Sequence, residues 1–271
     1  MSSAIKVVQL KKSYDGKPVL KGLDLEVMQG EIFALLGVNG AGKTTALECI
    51  EGLRPYDSGA VAVHGTMGIQ LQVSALPDYI RPMEAVALFC RWRRARPDGE
   101  MLDALGISAL KKQQYRQLST GQKRRLLLAL ALIGDPQIIF LDEPTAGLDT
   151  VSRRALHEQI GRLKAMGKTI VLASHDMAEV ETLCDRIAIL KEGRVAFCGT
   201  ASQLSRFIGQ KYVIHLKTCQ GEQSLDTDNI ENTLFSLMGE LKQKGIRVLD
   251  LRVDRGSLEQ HFMEIAGGKG K

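Results

Sequence analysis

The sequence predicts an α/β fold with a parallel sheet at its centre and a smaller α/β appendage at its C-terminal end. Short, continuous apolar runs are typical of parallel strands that helices cover on both faces, and three such runs occur, over Glu31–Gly37, Gln137–Glu143 and Lys168–Ser174. Helical patterns and glycine-rich turns alternate with these runs up to about Thr200, where the pattern restarts. We therefore predict a large domain over residues 1–204 and an accessory domain with a flexible tail over residues 205–271.

Local patterns predict the remaining strands and helices. Apolar and polar residues alternate in the early stretches AIKVVQL and LKGLDLEV, which predicts antiparallel strands. The segment Arg186–Gly199 predicts a hairpin that turns at Glu192-Gly193. In the appendage we predict strands at YVIHLK and IRVLDLRVD, an amphipathic helix over Asn229–Gly245, and a last helix at SLEQHFMEI.

The composition is that of an ordinary globular protein. The chain has 271 residues, of which 44% are hydrophobic, and its net charge of +5 suits an anionic ligand or lipid headgroups but is too small to indicate nucleic acid. The longest apolar stretch, Leu126–Ile133, is far shorter than the ~20 residues that span a bilayer, and the N-terminus lacks the apolar core of a signal peptide. The five cysteines show no metal-ligand spacing, so we expect reduced thiols in a cytosolic protein.

A phosphate-binding motif follows the first apolar run. The stretch GVNGAGKTT matches G-x-x-x-x-G-K-[ST] between a predicted strand and a predicted helix. Glycines allow backbone N–H groups to approach phosphates without a Cβ in the way. Lys43 would supply a positive charge for the β- and γ-phosphates, and Thr44 a hydroxyl for Mg²⁺. The predicted nucleotide-binding residues of this loop are Gly37, Asn39, Gly40, Ala41, Gly42, Lys43, Thr44 and Thr45.

Two carboxylates end the second apolar run, IIFLDE, at the sheet edge where ligands bind in open α/β folds. Because adjacent strand residues point to opposite sides, we expect Asp142 and Glu143 to have different roles. Asp142 fits the Mg²⁺ shell, and Glu143 fits a general base that aligns water for attack on the γ-phosphate. A solvated pair at a strand end is the alternative. The third run ends near His175, on a strand expected beside that of Asp142, where a histidine could contact the γ-phosphate and orient water.

A second anion-binding feature is predicted at QLSTGQKRRLLLALAL. Ser119 can cap this helix, and Gln122 follows three residues later, as in a capping box. The N-terminus of a helix attracts anions through its free N–H groups and its dipole. The chain therefore contains two separate predicted phosphate-binding ends.

Five motifs in order resemble those of the ATP-binding cassette (ABC) ATPases: Walker A at Gly37–Thr45, LSTGQ at Leu118–Gln122, Walker B ending at Glu143, AGLD at Ala146–Asp149 and the late His175. The resemblance covers roughly residues 1–200. It implies a P-loop NTPase (RecA-like) core with an antiparallel β subdomain and a helical subdomain that carries LSTGQ.

The same resemblance implies that two cassettes face each other head to tail, with each ATP between one P-loop and the partner's LSTGQ segment. The signature residues that would contact the partner's ATP are Leu118, Ser119, Thr120, Gly121 and Gln122, and Thr120 departs from the more usual glycine. ATP binding would favour a closed dimer, and hydrolysis would open it. Both a homodimer and a heterodimer with a related cassette remain open.

Three further roles are implied by the resemblance. Tyr14 occupies the position of an aromatic residue that stacks on adenine, and a surface tyrosine is the alternative. Gln72 fits the glutamine that reaches Mg²⁺ and water, in preference to Gln70 on the same strand face. Asp149 fits a loop that crosses to the partner's site, and it could also be the N-cap of the following helix.

The resemblance implies the ATP-hydrolysing subunit of a membrane transporter, at the cytoplasmic face of the membrane, with separate permease subunits as partners. The tail SLEQHFMEI resembles that of drug-resistance and related ABC-2 cassettes, which favours export. The alternatives are a soluble ABC-type ATPase that acts on nucleic acid or ribosomes and a nucleotide-binding regulator. The absence of heptads and the single motif set disfavour the first, and Glu143 disfavours the second. The basic run Phe89–Arg96 is interpreted as a solvated or docking edge, with lipid or nucleic-acid contact as alternatives.

Overall fold

The computed structural model describes residues 2–70, 76–174, 177–208, 212–227, 229–255, 262 and 265. The strands are β1 (Ser3–Tyr14), β2 (Lys17–Met28), β3 (Ile32–Leu36), β4 (Ser58–Val63), β5 (Met67–Gln70), β6 (Ile138–Asp142), β7 (Thr169–Ala173), β8 (Arg186–Lys191), β9 (Arg194–Gly199), β10 (Tyr212–Thr218), β11 (Gly221–Thr227) and β12 (Val248–Arg255). The helices are α1 (Lys43–Ile50), α2 (Pro82–Arg93), α3 (Gly99–Ala104), α4 (Thr120–Leu132), α5 (Thr150–Ala165), α6 (Met177–Leu183), α7 (Ala201–Ile208) and α8 (Ile230–Gln243).

Contacts between Cα atoms divide the chain into two units, Met1–Cys198 and Gly199–Lys271. The domain boundary inferred from sequence, between residues 204 and 205, stays a prediction.

The centre of the first unit is a six-stranded sheet in the order β5-β6-β7-β3-β8-β9. Neighbouring strands from β5 to β8 pair in parallel. The three apolar runs form β3, β6 and β7, which are adjacent in this sheet, and the apolar residues of these strands are buried. Burial on both faces explains why their apolar residues do not alternate with polar ones. The predicted α/β class with a parallel sheet is confirmed.

A separate antiparallel sheet has the order β2-β1-β4. Its alternating residues place Ile5, Val7 and Leu25 in the core, while Lys6 faces outward. The long β1–β2 pairing runs from Ser3 opposite Met28 to Tyr14 opposite Lys17. The predicted antiparallel strands are therefore confirmed, although the sequence reasoning did not include β4.

The predicted hairpin is formed by β8 and β9, and it turns at Glu192 and Gly193, whose φ angles are 50° and 78°. Positive φ at both turn residues is typical of a two-residue hairpin. A Cβ at Gly193 would lie 2.0 Å from the carbonyl oxygen of Val19, so a side chain is excluded there. The hairpin turn therefore lies against the N-terminal part of β2.

The second unit contains an antiparallel sheet in the order β11-β10-β12. Helix α8 starts at the predicted place, because the Asn229 side chain accepts a hydrogen bond from the Asn232 N–H, and it ends before Gly245, whose φ is 66°. Strand β11 was not predicted, since its sequence GEQSLDT is largely polar and exposed. Most of the predicted last helix lies outside the described residues.

Candidate functional site

The loop between β3 and α1 is shaped by glycines that no other residue could replace without strain. Gly40 and Gly42 have φ angles of 83° and 103°. A Cβ at Gly37 would lie 2.9 Å from the Cβ of Ala41 and 2.9 Å from the carbonyl oxygen of Leu190. The sequence therefore folds into a tight loop whose backbone is open to a ligand.

Helix α1 begins directly after this loop without a side-chain cap. Gly42 is its N-cap residue and has no side chain that could accept a hydrogen bond from the first turn. The first N–H groups of a helix have no partner within the helix, and the dipole places partial positive charge there. This helix end is therefore able to receive an anion such as a phosphate group.

The Lys43 ammonium is buried and held over the loop. Its side chain is in a residue only 8% exposed, and Nζ donates a 2.7 Å hydrogen bond to the carbonyl oxygen of Gly37. Burial lowers the pKa of Lys43, while the nearby carboxylates of Glu143 and Asp142 act in the opposite direction. The structure thus places a positive charge where the loop would surround a phosphate.

A cleft of about 360 Å³ brings most of the predicted residues together. It is lined by Asn39, Gly40, Gly42, Lys43, Thr44, Thr45, Asp142 and Glu143, and by Val19. Gly37 and Ala41 are buried residues of the loop and do not line the cleft. The sequence reasoning missed Val19, because nothing in the local pattern of β2 indicates that this strand begins beside the loop between β3 and α1.

Both carboxylates face this cleft, which differs from the expectation based on strand alternation. Strand β6 ends at Asp142, and Glu143 follows in a left-handed conformation with φ 48°. The alternation rule therefore does not apply to the pair. Burial raises the pKa of Asp142, the neighbouring Glu143 carboxylate raises it further, and Lys43 opposes both effects. Their separate roles remain predictions.

A third carboxylate, Glu51, is buried at the C-terminal end of α1. Burial raises its pKa to about 7, and the charges of Asp142 and Glu48 contribute in the same direction. The Asp142 carboxylate thus raises the pKa of Glu51, and its own pKa is raised by the Glu143 carboxylate. The region favours a cation or a proton over an additional negative charge.

Two predicted residues, His175 and Gln72, lie outside the described residues. The strand that leads to His175 is placed as predicted, because β7 pairs with β6 and Ala173 lies opposite Asp142. Gln70, the alternative to Gln72, is the last residue of β5 and is only 2% exposed. Its amide has no hydrogen-bond partner within the described parts of the chain.

A buried carboxylate that the sequence reasoning missed connects two of the site segments. Glu179 is 1% exposed and accepts hydrogen bonds from the Ser174 hydroxyl, at 2.6 Å, and from the Thr145 hydroxyl, at 3.1 Å. His157 Nε2 lies 3.4 Å from the other oxygen of the Glu179 carboxylate. Thr145 lies two positions after Glu143, and Ser174 is the residue directly after β7. Glu179 therefore links the segment that follows β6 to the residue that follows β7.

The LSTGQ segment forms the predicted capping box. The Ser119 hydroxyl accepts a hydrogen bond from the Gln122 N–H at 3.2 Å, and the Gln122 side chain accepts one from the Ser119 N–H at 2.8 Å. Leu118 is buried, whereas Ser119 and Thr120 are exposed. None of these residues lines the cleft described above.

The start of α5 lies beside the start of α4. A Cβ on Gly121 would lie 2.9 Å from the Ser152 hydroxyl, which itself donates to the Asp149 carboxylate at 3.1 Å. Asp149 also accepts from the Ser152 N–H at 2.8 Å, so the predicted N-cap is present. These backbone and hydroxyl hydrogen bonds lower the pKa of Asp149. We call Leu118–Gln122 and Asp149 together the signature face.

Tyr14 ends β1 outside the cleft lining. The Lys12 ammonium and the Arg54 guanidinium each lie 5.4 Å from the centre of its ring. A cation over the face of an aromatic ring is attracted to it electrostatically. The stacking role of Tyr14 toward adenine stays a prediction.

A glycine-rich loop that opens a helix, a buried lysine and two carboxylates at the edge of a parallel sheet define a P-loop nucleotide-binding protein. A family model described as ABC transporter matches residues 20–146. The linearmycin resistance ATP-binding protein LnrL of Bacillus subtilis is 31% identical, over 95% of this chain and 96% of its own length. Nod factor export ATP-binding protein I of Sinorhizobium fredii is 37% identical, over 70% of this chain and 61% of its own length.

A solved ATP-binding subunit of an ABC transporter superposes with a TM-score of 0.69 at 27% identity, covering 76% of this chain and 93% of that chain. The chain belongs to the ABC transporter family, as an ATP-binding subunit with ATPase activity. The comparisons give no support to a soluble ATPase that acts on nucleic acid or ribosomes. Within the described residues, no helix has both the length and the hydrophobicity needed to cross a membrane.

Proposed function

We propose that this subunit powers export through separate membrane-domain polypeptides, by closing on ATP with a second cassette and opening after hydrolysis. One observation supports the dimer most directly: the two groups of predicted phosphate-binding residues occupy different surfaces. The cleft contains the P-loop and the carboxylates, and the signature face contributes nothing to its lining. A second subunit is needed to bring a signature face to each cleft.

Within the cleft, the P-loop residues would hold the phosphates of ATP. The glycines leave room for the phosphates, and the uncapped N-terminus of α1 and the Lys43 ammonium provide donors and positive charge. Glu143 would accept the proton of the attacking water, with His175 and Gln72 orienting that water and the γ-phosphate. Tyr14 would stack on the base.

The residue types in the cleft also fit Mg²⁺. The Thr44 hydroxyl and the Asp142 carboxylate are oxygen donors beside the lysine, and Gln72 would complete the set. Burial, and then the adjacent Glu143 carboxylate, raise the pKa of Asp142, so a bound cation would stabilise its charged form. When bound, Mg²⁺ would neutralise negative charge on the phosphates during transfer.

The direction of transport is inferred from relatives. One is named for linearmycin resistance and covers nearly the whole chain, and another is named for Nod factor export. By this similarity the chain would lie at the cytoplasmic face of the membrane, bound to permease subunits. No nucleic-acid partner is proposed.

The cleft is tested by Lys43→Ala. Loss of a charge-assisted contact is expected to weaken ATP binding about 10- to 100-fold, measured with a fluorescent ATP analogue. Because Lys43 also bonds to Gly37, thermal unfolding should show that the variant remains folded. The control Lys112→Ala removes an exposed lysine and should bind ATP normally. Unchanged affinity in Lys43→Ala would contradict the assignment.

The dimer is tested with Glu143→Gln, which should bind ATP without turning it over. With Mg-ATP this variant is expected to double its mass in light scattering, and with ADP it should not. A monomer at saturating ATP would contradict a sandwich of two copies of this chain. Affinity purification of the tagged wild-type chain should recover an integral membrane protein, and recovery only of ribosomes or DNA would contradict the transport function.

A further inference from the structure

The carboxylate of Glu179 lies where three segments of the first unit meet. Glu179 belongs to α6 and is 1% exposed. One carboxylate oxygen accepts hydrogen bonds from the Ser174 hydroxyl, at 2.6 Å, and from the Thr145 hydroxyl, at 3.1 Å. The other oxygen lies 3.4 Å from His157 Nε2, on α5. A single side chain thus contacts the segment after β6, the residue after β7 and helix α5.

The two hydroxyl donors belong to segments that reach the carboxylate edge of the cleft. Thr145 lies two positions after Glu143, which lines the cleft. Ser174 directly follows Ala173, the last residue of β7. The Glu143 N–H donates to the Ala173 carbonyl oxygen at 3.0 Å. One backbone hydrogen bond and the Glu179 carboxylate therefore both hold the segment that contains Glu143 to the end of β7.

The conformation of Glu143 depends on the contacts around it. Its φ angle of 48° lies in the left-handed region, which residues with a side chain rarely adopt and which persists only where neighbouring contacts hold it. The turn that follows is tight, because the Ala146 N–H donates to the Glu143 carbonyl at 3.2 Å and the Leu148 N–H donates to the Thr145 carbonyl at 3.1 Å. We therefore expect a displacement of Thr145 to move Glu143 as well.

A buried carboxylate is a costly way to join two segments of a chain. Burial of a polar group destabilises the folded state unless hydrogen bonds compensate for the lost water. An apolar side chain could fill the same space without that cost. It would not, however, fix the hydroxyls of Ser174 and Thr145 at defined distances from one oxygen atom. The presence of Glu179 at this place favours a role in geometry over a role in stability alone.

We infer that Glu179 is a positioning residue for ATP hydrolysis, which holds Glu143 in the orientation that proton transfer from water needs. Glu179 does not line the cleft, so it acts through the Thr145 and Ser174 segments. A displacement of about 1 Å in a reacting group can cost about 100-fold in rate, so a link outside the cleft is sufficient to affect turnover. The inference rests on the proposed role of Glu143 as the general base.

The experiment compares Glu179→Ala with Glu179→Gln in the full chain. Phosphate release gives kcat, and a fluorescent ATP analogue gives the Kd for nucleotide. Glu179→Ala is expected to lower kcat about 10- to 100-fold and to leave the Kd unchanged, because the two hydroxyl donors lie outside the P-loop. Glu179→Gln keeps an oxygen that can accept from both hydroxyls, so we expect it to retain most of the wild-type kcat. A merely structural role would instead lower the fraction of protein that binds ATP.

Further variants locate the effect. Glu181→Ala removes an exposed carboxylate from the same helix and should keep the wild-type kcat. Thr145→Val removes one donor and Thr145→Ser keeps it, so only the valine variant should lose activity. In the Glu143→Gln background, Glu179→Ala should cause little further loss, because it acts through a base that is already absent. If Glu179→Ala does not fold, the two Thr145 variants apply the same test.

Four results would overturn the inference: a wild-type kcat in Glu179→Ala, a Kd for ATP that rises as kcat falls, equal losses in Glu179→Ala and Glu179→Gln, or a full further loss in the Glu143→Gln background. A normal kcat in Glu179→Ala beside a large loss in Glu143→Gln would reject the positioning role and leave the proposed function intact. A normal kcat in Glu143→Gln would instead reject the proposed base itself.

Discussion

Two helix N-termini in this protein are both predicted to bind phosphate, yet they are built differently. The start of α1 has glycine as its N-cap and no side-chain cap, and it opens into a cleft with a buried lysine. The start of α4 is closed by the reciprocal hydrogen bonds of Ser119 and Gln122, and it is exposed. The N–H groups at the start of α1 need an acceptor from outside the helix. At the start of α4, the Ser119 hydroxyl already accepts from one of these N–H groups.

The difference indicates a division of labour. The α1 end, with desolvated charges around it, can hold an anion within one subunit. The α4 end lies outside the lining of this cleft, so we expect it to contribute donors to a phosphate that another molecule supplies. Substitutions at three positions test this contrast.

The largest effect is expected in the cleft from Glu143→Gln. Removal of a general base is expected to lower kcat about 10²- to 10⁴-fold while ATP binding persists. Phosphate release under saturating Mg-ATP measures the loss. The control Glu158→Gln removes an exposed carboxylate on α5 and should hydrolyse ATP normally. Normal turnover in Glu143→Gln would show that another group activates the water.

A smaller effect is expected from Glu51→Gln, which tests how strongly this region is desolvated. Because the pKa of Glu51 is raised from 4.5 to about 7, the folded state retains a proton that the unfolded state loses between these pH values. The stability that the protonated Glu51 carboxyl contributes to the folded state is therefore lost as the pH rises from 4.5 through about 7. The variant should gain up to about 3 kcal/mol in free energy of unfolding at pH 8 and nothing near pH 4.

Urea unfolding of the nucleotide-free and metal-free protein at several pH values measures this gain. Glu181→Gln, at an exposed position, is the control and should not change the pH dependence. A Glu51→Gln variant no more stable than the wild type at pH 8 would mean that the ionised carboxylate is well solvated.

The smallest change in stability is expected on the signature face. Ser119→Ala should cost about 1 kcal/mol through loss of the N-cap, whereas Ser119→Asp should nearly preserve stability because aspartate also caps helices. Both should impair the ATP-dependent dimer in the Glu143→Gln background, and Ser119→Asp should abolish it by repelling the γ-phosphate. Retention of the dimer by Ser119→Asp would remove this face from the nucleotide site.

Local chemistry made much of the fold predictable. The capping pairs Ser119–Gln122 and Asp149–Ser152 involve residues three apart, and the hairpin turn depends on two adjacent ones, so each is recognisable in a short stretch. The apolar runs predicted β3, β6 and β7, because burial on both faces leaves a distinct pattern.

What could not be predicted depends on residues far apart in the chain. Glu179 has no local pattern that marks it as buried, and only folding brings it to Thr145, 34 residues earlier in the chain. The left-handed conformation of Glu143 has no local sequence signal, so strand alternation gave the wrong direction for its side chain. Strand β11 contains one large apolar residue, Leu225, and it forms by pairing with β10.

The hydrogen bond from Lys43 to the Gly37 carbonyl has a consequence for nucleotide exchange. The ammonium already has an oxygen partner at 2.7 Å within the loop, so an arriving phosphate exchanges one acceptor for another and meets no bare charge. If Lys43 binds phosphate as proposed, we expect the same carbonyl to accept the ammonium again when the phosphate departs. Release of the phosphate would then leave the ammonium hydrogen-bonded.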